Sequence, residues 1–541
     1  MNPLFQAGLN PRVPAQPFLS LKYLIVTSLV MVILIPAVFA SNWIAAISGS
    51  DQQIVKGLGG ALPWYTVGTP IQHYPLAAQT VLDMGTSILR VYIMNQDNVF
   101  DTNGNLVNTA LADTMVSEIK WAASNGIPYN YTPGWNNLPS ICFSNGVLLP
   151  QYEQAQCNAV ANMLAYFTNH GCALPLITSM ANEPSAPVGF MTTVPINQFQ
   201  TVFQLCRTTM NNAGLSAEPL AFGENGQCEY QLYYLNGDGF PALTSDPALD
   251  SDIGAFATHT YYPSLGYHEE YLDSLNTWAN GRDNWETEFC YNGDQVVAGK
   301  DYTTGMVERF ISDMVLLQVN YWEMWEIWNN NGPAATDTLC SGNGISTVTL
   351  PPAYYVFKKV FGNVTPGSTV RTVFTYNPNL IGSGTLGTFM DLVAFVNSSN
   401  MTVVLVNPTT NAIGMNVTGL TGNSANVYQI ATAAPYNTDM TLIGSSVISG
   451  GTITNVNLAA NSVTVIVTCQ VQSAGFGVQS NEFGFTITGA SNLAVVVEAS
   501  SNLVNSAWVP LSTNTLTGGS SYFSDPQWTN FPGRFYRLNS P

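Results

Sequence analysis

Two carboxylate-bearing stretches stand where predicted β-strands end. The run Leu174–Met180 leads into Asn182-Glu183-Pro184, which places an amide and a carboxyl group side by side. A second run contains Glu286 and Glu288. Two carboxyl groups can cleave an acetal, because one protonates the leaving oxygen while the other attacks or stabilises the carbon. These glutamates are therefore the first candidates for catalysis.

Eight β-like runs between residues 54 and 360 would position these groups. Helix-period segments separate them, which is the pattern of an α/β domain. Eight strands that alternate with helices over about 300 residues predict a (β/α)8 barrel, whose active site lies at the C-terminal ends of the strands. The predicted strands are Val55–Gly60, Ser87–Ile93, Ile127–Tyr131, Leu174–Met180, Leu220–Gly223, Ile253–Thr260, Asn284–Phe289 and Asn320–Trp325.

The choice between the two glutamates of the seventh strand depends on their position along it. Alternation of side chains predicts that Glu286 and Glu288 share one face. Glu288 lies nearer the C-terminal rim, so Glu288 is predicted to be the second carboxylate. Glu224 also ends a predicted strand, and it is interpreted as a polar lining residue.

The chain after Pro351-Pro352 changes to alternating Thr, Val, Asn and Ser with almost no charge, which predicts a β-sandwich. The predicted organisation is a signal peptide over 1–40, the barrel over 41–355, the sandwich over 356–470, and a linker with a small all-β module over 471–541. Residues 41–56 can add a strand to the sandwich. The linker is placed at Gln470–Gln479.

Several motifs in this order resemble glycoside hydrolase family 30, a family of retaining (β/α)8 glycosidases that includes the glucosylceramidases. The resemblance covers roughly residues 54 to 470, and it implies a β-sandwich packed on the barrel. The matching stretches are Gly57-Leu58-Gly59-Gly60-Ala61, Leu89-Arg90-Val91, Thr132-Pro133-Gly134-Trp135, Asn182-Glu183-Pro184 and Trp285-Glu286-Thr287-Glu288.

The resemblance also implies roles for individual residues. Glu183 would be the acid/base and Glu288 the nucleophile, with Asn182 bound to the sugar 2-hydroxyl and Arg90 orienting the nucleophile. Further substrate contacts would come from His259 and Tyr261 at the end of the sixth strand, and from Trp135 and one of Trp322 or Trp325, with Trp325 preferred. No metal or organic cofactor is implied.

Structural interpretations of the same residues stay open at this point. Arg90 can be a buried ion-pair partner, and His259 a core histidine. The tryptophans Trp322, Trp325 and Trp328 recur three apart and can serve barrel packing.

Composition and the N-terminus indicate where the protein works. An apolar run from Tyr23 to Ala40 follows Lys22, which predicts a signal peptide and export, with an uncleaved anchor as the alternative. Charged residues make up 9% of the chain, and the formal net charge of −19 argues against nucleic-acid binding. Eight cysteines form no C-x-x-C spacing, and their pairing is left open.

Together these observations predict a secreted or cell-surface retaining β-glycoside hydrolase. Its substrate would be a β-glucan, a xylan, a galactan or a glucosylceramide-like glycoside. The alternative is a non-catalytic carbohydrate-binding or cell-surface protein on the same scaffold. The C-terminal module is interpreted as an attachment or sorting element.

Overall fold

The computed structural model describes residues 43–62, 69–93, 99–134, 137–145, 147–184, 196–225, 247–261, 275–277, 279–291, 301–329, 338–376, 392–489, 493–503 and 507–539. The predicted signal peptide lies outside these described residues.

The strands, in chain order, are β1 (Trp43–Ile47), β2 (Gly57–Ala61), β3 (Ile88–Ile93), β4 (Tyr129–Pro133), β5 (Phe143–Ser144), β6 (Val147–Leu148), β7 (Thr178–Ser179), β8 (Leu220–Asn225), β9 (Ala255–His259), β10 (Asn284–Phe289), β11 (Tyr321–Met324), β12 (Thr369–Tyr376), β13 (Leu392–Val396), β14 (Met401–Asn407), β15 (Ile413–Thr418), β16 (Ser424–Ala431), β17 (Thr441–Val447), β18 (Thr452–Leu458), β19 (Ser462–Gln479), β20 (Glu482–Thr488), β21 (Ala494–Ser500), β22 (Val509–Thr515), β23 (Ser520–Asp525) and β24 (Phe535–Asn539). The helices are α1 (Pro75–Asp83), α2 (Ala110–Ser124), α3 (Glu153–Asn169), α4 (Ile196–Asn212), α5 (Pro247–Asp252), α6 (Tyr302–Ser312) and α7 (Pro352–Phe361).

Eight parallel strands close into a barrel in the order β2, β3, β4, β7, β8, β9, β10 and β11, and β11 pairs back to β2. Each of the eight predicted runs overlaps one of these strands, so the prediction of a (β/α)8 barrel is confirmed. Small and large side chains fill the barrel interior, where Trp285 stacks on Tyr321 with ring centroids 3.5 Å apart. Gly57 fits beside them because a Cβ at that position would lie 2.7 Å from the Tyr321 ring.

A second, mostly antiparallel sheet follows the barrel in the order β17, β16, β19, β14, β13, β12, β1, β15 and β18. The strand before the barrel, β1, pairs antiparallel with β12 and parallel with β15. Apolar side chains from both ends of this order, including Ala45, Val403 and Ile466, form one buried cluster, as expected of a sandwich. The opposite side of β13 packs on the barrel helices, since Phe395 lies 5.8 Å from Phe310 of α6.

The predicted linker at Gln470–Gln479 is wrong, because these residues continue β19 as an ordered strand. They pair with β20, which pairs in turn with β23. Two glycines of this stretch, Gly475 and Gly477, lie where the register of β19 with β20 shifts, and both have positive φ. Glycine is favoured at such a bulge because it lacks a Cβ.

The C-terminal residues complete a small two-layer β structure. Its second layer is a three-stranded sheet in the order β22, β21 and β24. Phe485, Ile487, Val497, Phe523 and Leu538 are buried in its core. The chain therefore continues from the sandwich into this part without a flexible joint at β19.

Seven cysteines lie in the described part of the chain, and all seven are buried. Within the same residues, no helix combines the length and the apolar character that a bilayer crossing requires.

Candidate active site

Two β-bulges at the C-terminal ends of barrel strands turn glutamates into the barrel mouth. The pairing of β8 with β9 skips Glu224, and the pairing of β10 with β9 skips Thr287, immediately before Glu288. An extra residue in a strand re-aims the side chains around it. Glu183 and Glu224 also have left-handed backbones, with φ of 44° and 56°. Such conformations cost free energy in non-glycine residues and cluster at functional sites.

The bulge at Thr287 separates Glu286 from Glu288, which corrects the prediction that the two share a face. Glu286 points away from the barrel interior and accepts a hydrogen bond from the backbone N–H of Thr260 at 3.1 Å. Burial and repulsion by Asp313 raise the pKa of Glu286 well above its usual range. Both effects favour the neutral form of Glu286, and Glu288 is the glutamate of this strand that faces the site.

Arg90 and Tyr261 hold the Glu288 carboxylate from two sides. The Arg90 guanidinium donates from Nη1 to Oε2 of Glu288 and from Nη2 to Oδ1 of Asn182 at 2.7 Å. The Tyr261 hydroxyl donates to the other oxygen of Glu288 at 3.0 Å. Two donors, Arg90 Nη1 and the Tyr261 hydroxyl, therefore fix the orientation of the Glu288 carboxylate.

Two aromatic rings flank the Arg90 guanidinium. Its central carbon lies 4.8 Å from the ring centre of Tyr92 and 5.9 Å from that of Trp325. The two rings meet edge to face at 5.5 Å. This contact orders the cation that orients Glu288. Tyr92 was absent from the predicted site, although its position two residues after Arg90 on the same strand placed it on the same face.

His259 links two carboxylates through its two ring nitrogens. Nδ1 lies 3.0 Å from Oε1 of Glu183, and Nε2 lies 2.8 Å from Oε2 of Glu224. The imidazole is fully buried, so its orientation is set by these two hydrogen bonds. The position of Glu183 is thereby tied to the fixed framework of the barrel interior.

Glu224, interpreted from the sequence as a polar lining residue, lies at the centre of the buried hydrogen-bond network. Its two oxygens accept hydrogen bonds from the hydroxyls of Ser179, Thr132 and Thr287 at 2.7, 2.9 and 2.9 Å. It also lies 3.5 Å from the Arg90 guanidinium. In the sequence, the one indication that Glu224 could be functional was its position after Gly223 at the end of a predicted strand. That position did not reveal its hydrogen-bond partners.

The electrostatics of this network fix which groups are charged. Burial would raise the pKa of Glu224, but Arg90 and His259 outweigh it and lower that pKa to about 2. Burial would lower the pKa of His259, but Glu288, Glu183 and Glu224 outweigh it and raise that pKa to about 9. At neutral pH Glu224 is therefore an anion. His259 keeps its second ring proton, either on the ring or within one of its two hydrogen bonds.

Glu183 and Glu288 lie close together across the barrel mouth. One carboxylate oxygen of each and a ring nitrogen of His259 all lie within 4.8 Å of one another. A set of three such ligand atoms can hold a cation in principle. Here, however, Arg90 is bonded to Glu288, and His259 already bonds Glu183, so a cation would have to displace these contacts against a fixed positive charge. The arrangement fits acid–base chemistry better than metal binding.

The structure brings most of the predicted site residues together at one end of the barrel. Arg90, Asn182, Glu183, His259, Tyr261, Glu288 and Trp325 all belong to this cluster through the contacts given above. Trp135 lies outside the described residues. Trp322 and Trp328 are buried packing residues, with Trp322 stacked on Phe357 and Trp328 against Tyr74.

An eight-stranded barrel with an attached β-sandwich and a pair of facing glutamates is the architecture of a large class of glycosidases. No family model matches the sequence, and a search of curated proteins finds no match. Comparison with solved structures does find matches. A GH30 endoxylanase from Clostridium papyrosolvens C71 aligns with a TM-score of 0.60 at 18% identity, over 79% of this chain and 99% of its own.

Two further structures show the same likeness. A conserved exported protein from Bacteroides fragilis aligns with a TM-score of 0.61 at 12% identity, over 79% of this chain and all of its own. The endo-β1,6-glucanase BT3312 aligns with a TM-score of 0.54 at 16% identity, over 78% of this chain and 93% of its own. The chain therefore has the fold of glycoside hydrolase family 30.

Proposed function

We propose that the protein is a retaining β-glycoside hydrolase that acts on a β-linked polysaccharide or glycoside. The observation that carries this proposal is the approach of the Glu183 and Glu288 carboxylates within 4.8 Å in the barrel mouth. In retaining glycosidases the two carboxyl groups are about 5 to 5.5 Å apart, whereas inverting enzymes separate them by about 6.5 Å or more. The short separation leaves no room for a water between Glu288 and the sugar.

The surroundings of Glu288 suit a nucleophile. Its carboxylate is held by Arg90 and Tyr261, so it is oriented before the substrate arrives. Attack on the anomeric carbon breaks the bond to the leaving oxygen and forms a glycosyl ester with Glu288. A water activated by Glu183 then hydrolyses this ester and returns the proton to Glu183.

The Glu183–His259 pair suits the acid. Glu224 accepts a hydrogen bond from Nε2 of His259, so the hydrogen bond between Nδ1 and Glu183 contains a second proton. That proton belongs to His259 when the pair is imidazolium and carboxylate, and to Glu183 when the pair is imidazole and carboxylic acid. Glu183 can deliver that proton to the leaving oxygen in the first step. The same carboxylate can accept a proton from water in the second step.

The net charge of the network also favours the reaction. Glu183, Glu224 and Glu288 supply three carboxylates against the two cations Arg90 and His259, an excess of one negative charge when all five are ionised. The transition state of glycoside cleavage has oxocarbenium character and is positively charged. A fixed negative excess in a buried site stabilises that charge more than it stabilises the neutral substrate.

The proposed substrate class follows from the fold and from charge. The compared proteins include an endoxylanase and an endo-β1,6-glucanase. A chain with a formal charge of −19 suits a neutral polymer better than a polyanion. Export is part of the proposal, on the basis of the apolar run Tyr23 to Ala40.

The experiment measures hydrolysis of aryl β-glycosides, xylan and β-1,6-glucan by the purified chain and by Glu183→Gln and Glu288→Gln. Glu498→Gln is a matched control, because Glu498 is a buried glutamate outside the barrel that pairs with Arg537. Turnover that both site variants lose and the control keeps supports the proposal. Binding of these carbohydrates without turnover by the unaltered chain would instead support the non-catalytic alternative.

A further inference from the structure

The C-terminal half of β19 forms a three-stranded sheet with β20 and β23, and this sheet has an outward face. Phe485, Ile487 and Phe523 point to the opposite, buried side. Tyr522, which is paired with Thr486 of β20, belongs to the outward side and is 46% exposed. This outward side is called the tail face below.

Tyr522 lies flat across the tail face. A Cβ at Gly484 of β20 would lie 2.3 Å from the phenol oxygen and 2.7 Å from Cζ of the ring. A Cβ at Gly475 of β19 would lie 3.5 Å from Cε2. The ring therefore rests on the bare backbone at Gly484 and contacts the neighbouring strand β19 near Gly475, while 46% of the side chain is exposed. Any residue larger than glycine at position 484 would lift the ring off the sheet.

Neutral hydrogen-bonding side chains surround this ring. The residues that share the tail face are Gln472, Thr486, Thr488, Ser520 and Ser524. Gln472 donates to the Thr488 hydroxyl at 2.7 Å, which holds the amide in the plane of the sheet. An aromatic ring over glycine stabilises a sheet by itself. That structural role does not explain why the outer surface of the Tyr522 ring is exposed to solvent among hydroxyl and amide groups.

Charge narrows the kind of ligand that would fit. By alternation along β20, Glu482 at the start of the strand lies on the same side as Gly484, Thr486 and Thr488. The other side chains named on the tail face carry hydroxyl or amide groups. A polyanion would be repelled by the Glu482 carboxylate and by the formal charge of −19. An uncharged sugar needs only a flat apolar surface for its C–H groups and hydroxyl partners at the rim.

We propose that the tail face is an accessory binding site for an uncharged polysaccharide, with Tyr522 as the ring on which a sugar unit stacks. The site uses none of the residues of the barrel mouth. It rests on the proposed function only in the choice of polysaccharides for the test. Its role is to hold the enzyme on an insoluble polymer while the barrel acts.

The experiment measures adsorption of the whole chain to particles of insoluble xylan, insoluble β-1,6-glucan and cross-linked polygalacturonate. The variants are Tyr522→Thr, which removes the ring and keeps a strand-forming residue, and Tyr522→Phe, which keeps the ring. Tyr436→Thr is the matched control, because Tyr436 is 49% exposed and lies outside this sheet. Hydrolysis of a soluble aryl β-glycoside and the unfolding temperature are measured for every variant.

The unaltered chain should adsorb to at least one neutral polysaccharide and not to polygalacturonate. Tyr522→Thr should weaken that adsorption about tenfold, which corresponds to about 1.4 kcal/mol, while Tyr522→Phe and Tyr436→Thr stay within about twofold. Soluble-substrate turnover should be the same in all four proteins, so failure of this site and failure of the proposed catalysis are separate results. No adsorption by the unaltered chain, equal adsorption by Tyr522→Thr, or preference for polygalacturonate would overturn the proposal. If Tyr522→Thr does not fold, Tyr522→Leu replaces it, with the same expected loss.

Discussion

Glu286 and Glu288 lie two residues apart on one barrel strand but point to opposite sides of the barrel wall. The β-bulge at Thr287 causes this difference. Glu288 reaches Arg90 in the barrel mouth, whereas Glu286 bonds the backbone of Thr260 near Asp313. The arrangement places one glutamate of the strand in the barrel mouth and the other behind the barrel wall.

Glu288→Gln and Glu286→Gln are therefore expected to differ sharply. Loss of the Glu288 nucleophile should lower kcat/KM by about 10³-fold or more, since no covalent intermediate can form. Glu286→Gln replaces a buried carboxyl group outside the barrel mouth by an amide of the same shape and should keep kcat/KM within about tenfold. Steady-state kinetics on one soluble glycoside measures both. Normal activity of Glu288→Gln together with an inactive Glu286→Gln would refute the assignment.

Glu183→Gln should show a loss that depends on the leaving group. A general acid contributes about 10² to 10⁴ to the rate when the leaving oxygen needs a proton. Glycosides of acidic phenols leave without one, so their first step should be nearly unaffected, while alkyl glycosides and polysaccharides should react far more slowly. Rates measured across a series of leaving-group pKa values test this. A uniform loss across the series would mean that Glu183 is not the acid.

His259 should set the alkaline limit of activity. The pKa of His259 is raised to about 9 because its carboxylate neighbours outweigh its burial, so the Glu183–His259 pair keeps its proton below that pH. The kcat/KM of the unaltered protein should fall only as the pH rises through about 9. In His259→Asn the imidazole no longer titrates, so the alkaline limb should no longer lie near pH 9 and should move to lower pH. An unmoved limb would show that another group controls it.

Glu224 should make the fold sensitive to acid. Its pKa is about 2 in the folded protein against 4.5 for the free group, so its stabilising effect is complete above about pH 4.5 and is lost as the pH falls toward 2. Over that range the free energy of unfolding should fall by roughly 3 kcal/mol more in the unaltered protein than in Glu224→Gln. Denaturant unfolding at pH 6, 4 and 2.5 measures the difference. Parallel curves for the two proteins would contradict the ionised state of Glu224.

A chain that ends at Ser473 should be less stable than the whole chain. The truncation cuts β19 and removes β20, whose Ile487 pairs with Val471 and lies in the buried core. All the catalytic candidates lie on the barrel, so turnover of soluble substrates should persist at temperatures below the lowered unfolding transition. Thermal unfolding followed by circular dichroism, with activity measured in parallel, tests both statements. An unchanged unfolding temperature would show that the C-terminal layer is energetically separate.

The sequence predicted the barrel well because strand-forming runs and helix periods are local signals. It also supplied Arg90, His259 and Glu288 through motifs whose order resembled a known family. The role of Glu224 and the direction of Glu286 could not be predicted in the same way. Both depend on which residue a bulge skips in the pairing with β9, and that pairing joins parts of the chain that are far apart in sequence.

The linker was mispredicted for a related reason. When the sequence is read locally, Gly475 and Gly477 indicate a flexible loop or linker. In the structure they form the irregularity of a paired strand, and Gly484 on the partner strand makes room for the ring of Tyr522. A glycine that provides space for a neighbour is recognised only when the neighbour is known.

The most direct test of the proposed mechanism is the configuration of the sugar at the moment of its release. Proton NMR of the anomeric signals during the first minutes of hydrolysis measures it before mutarotation mixes the two forms. Double displacement through Glu288 predicts that a β-glycoside gives the β-product first. First appearance of the α-product would contradict the account, because it would require a single displacement by water.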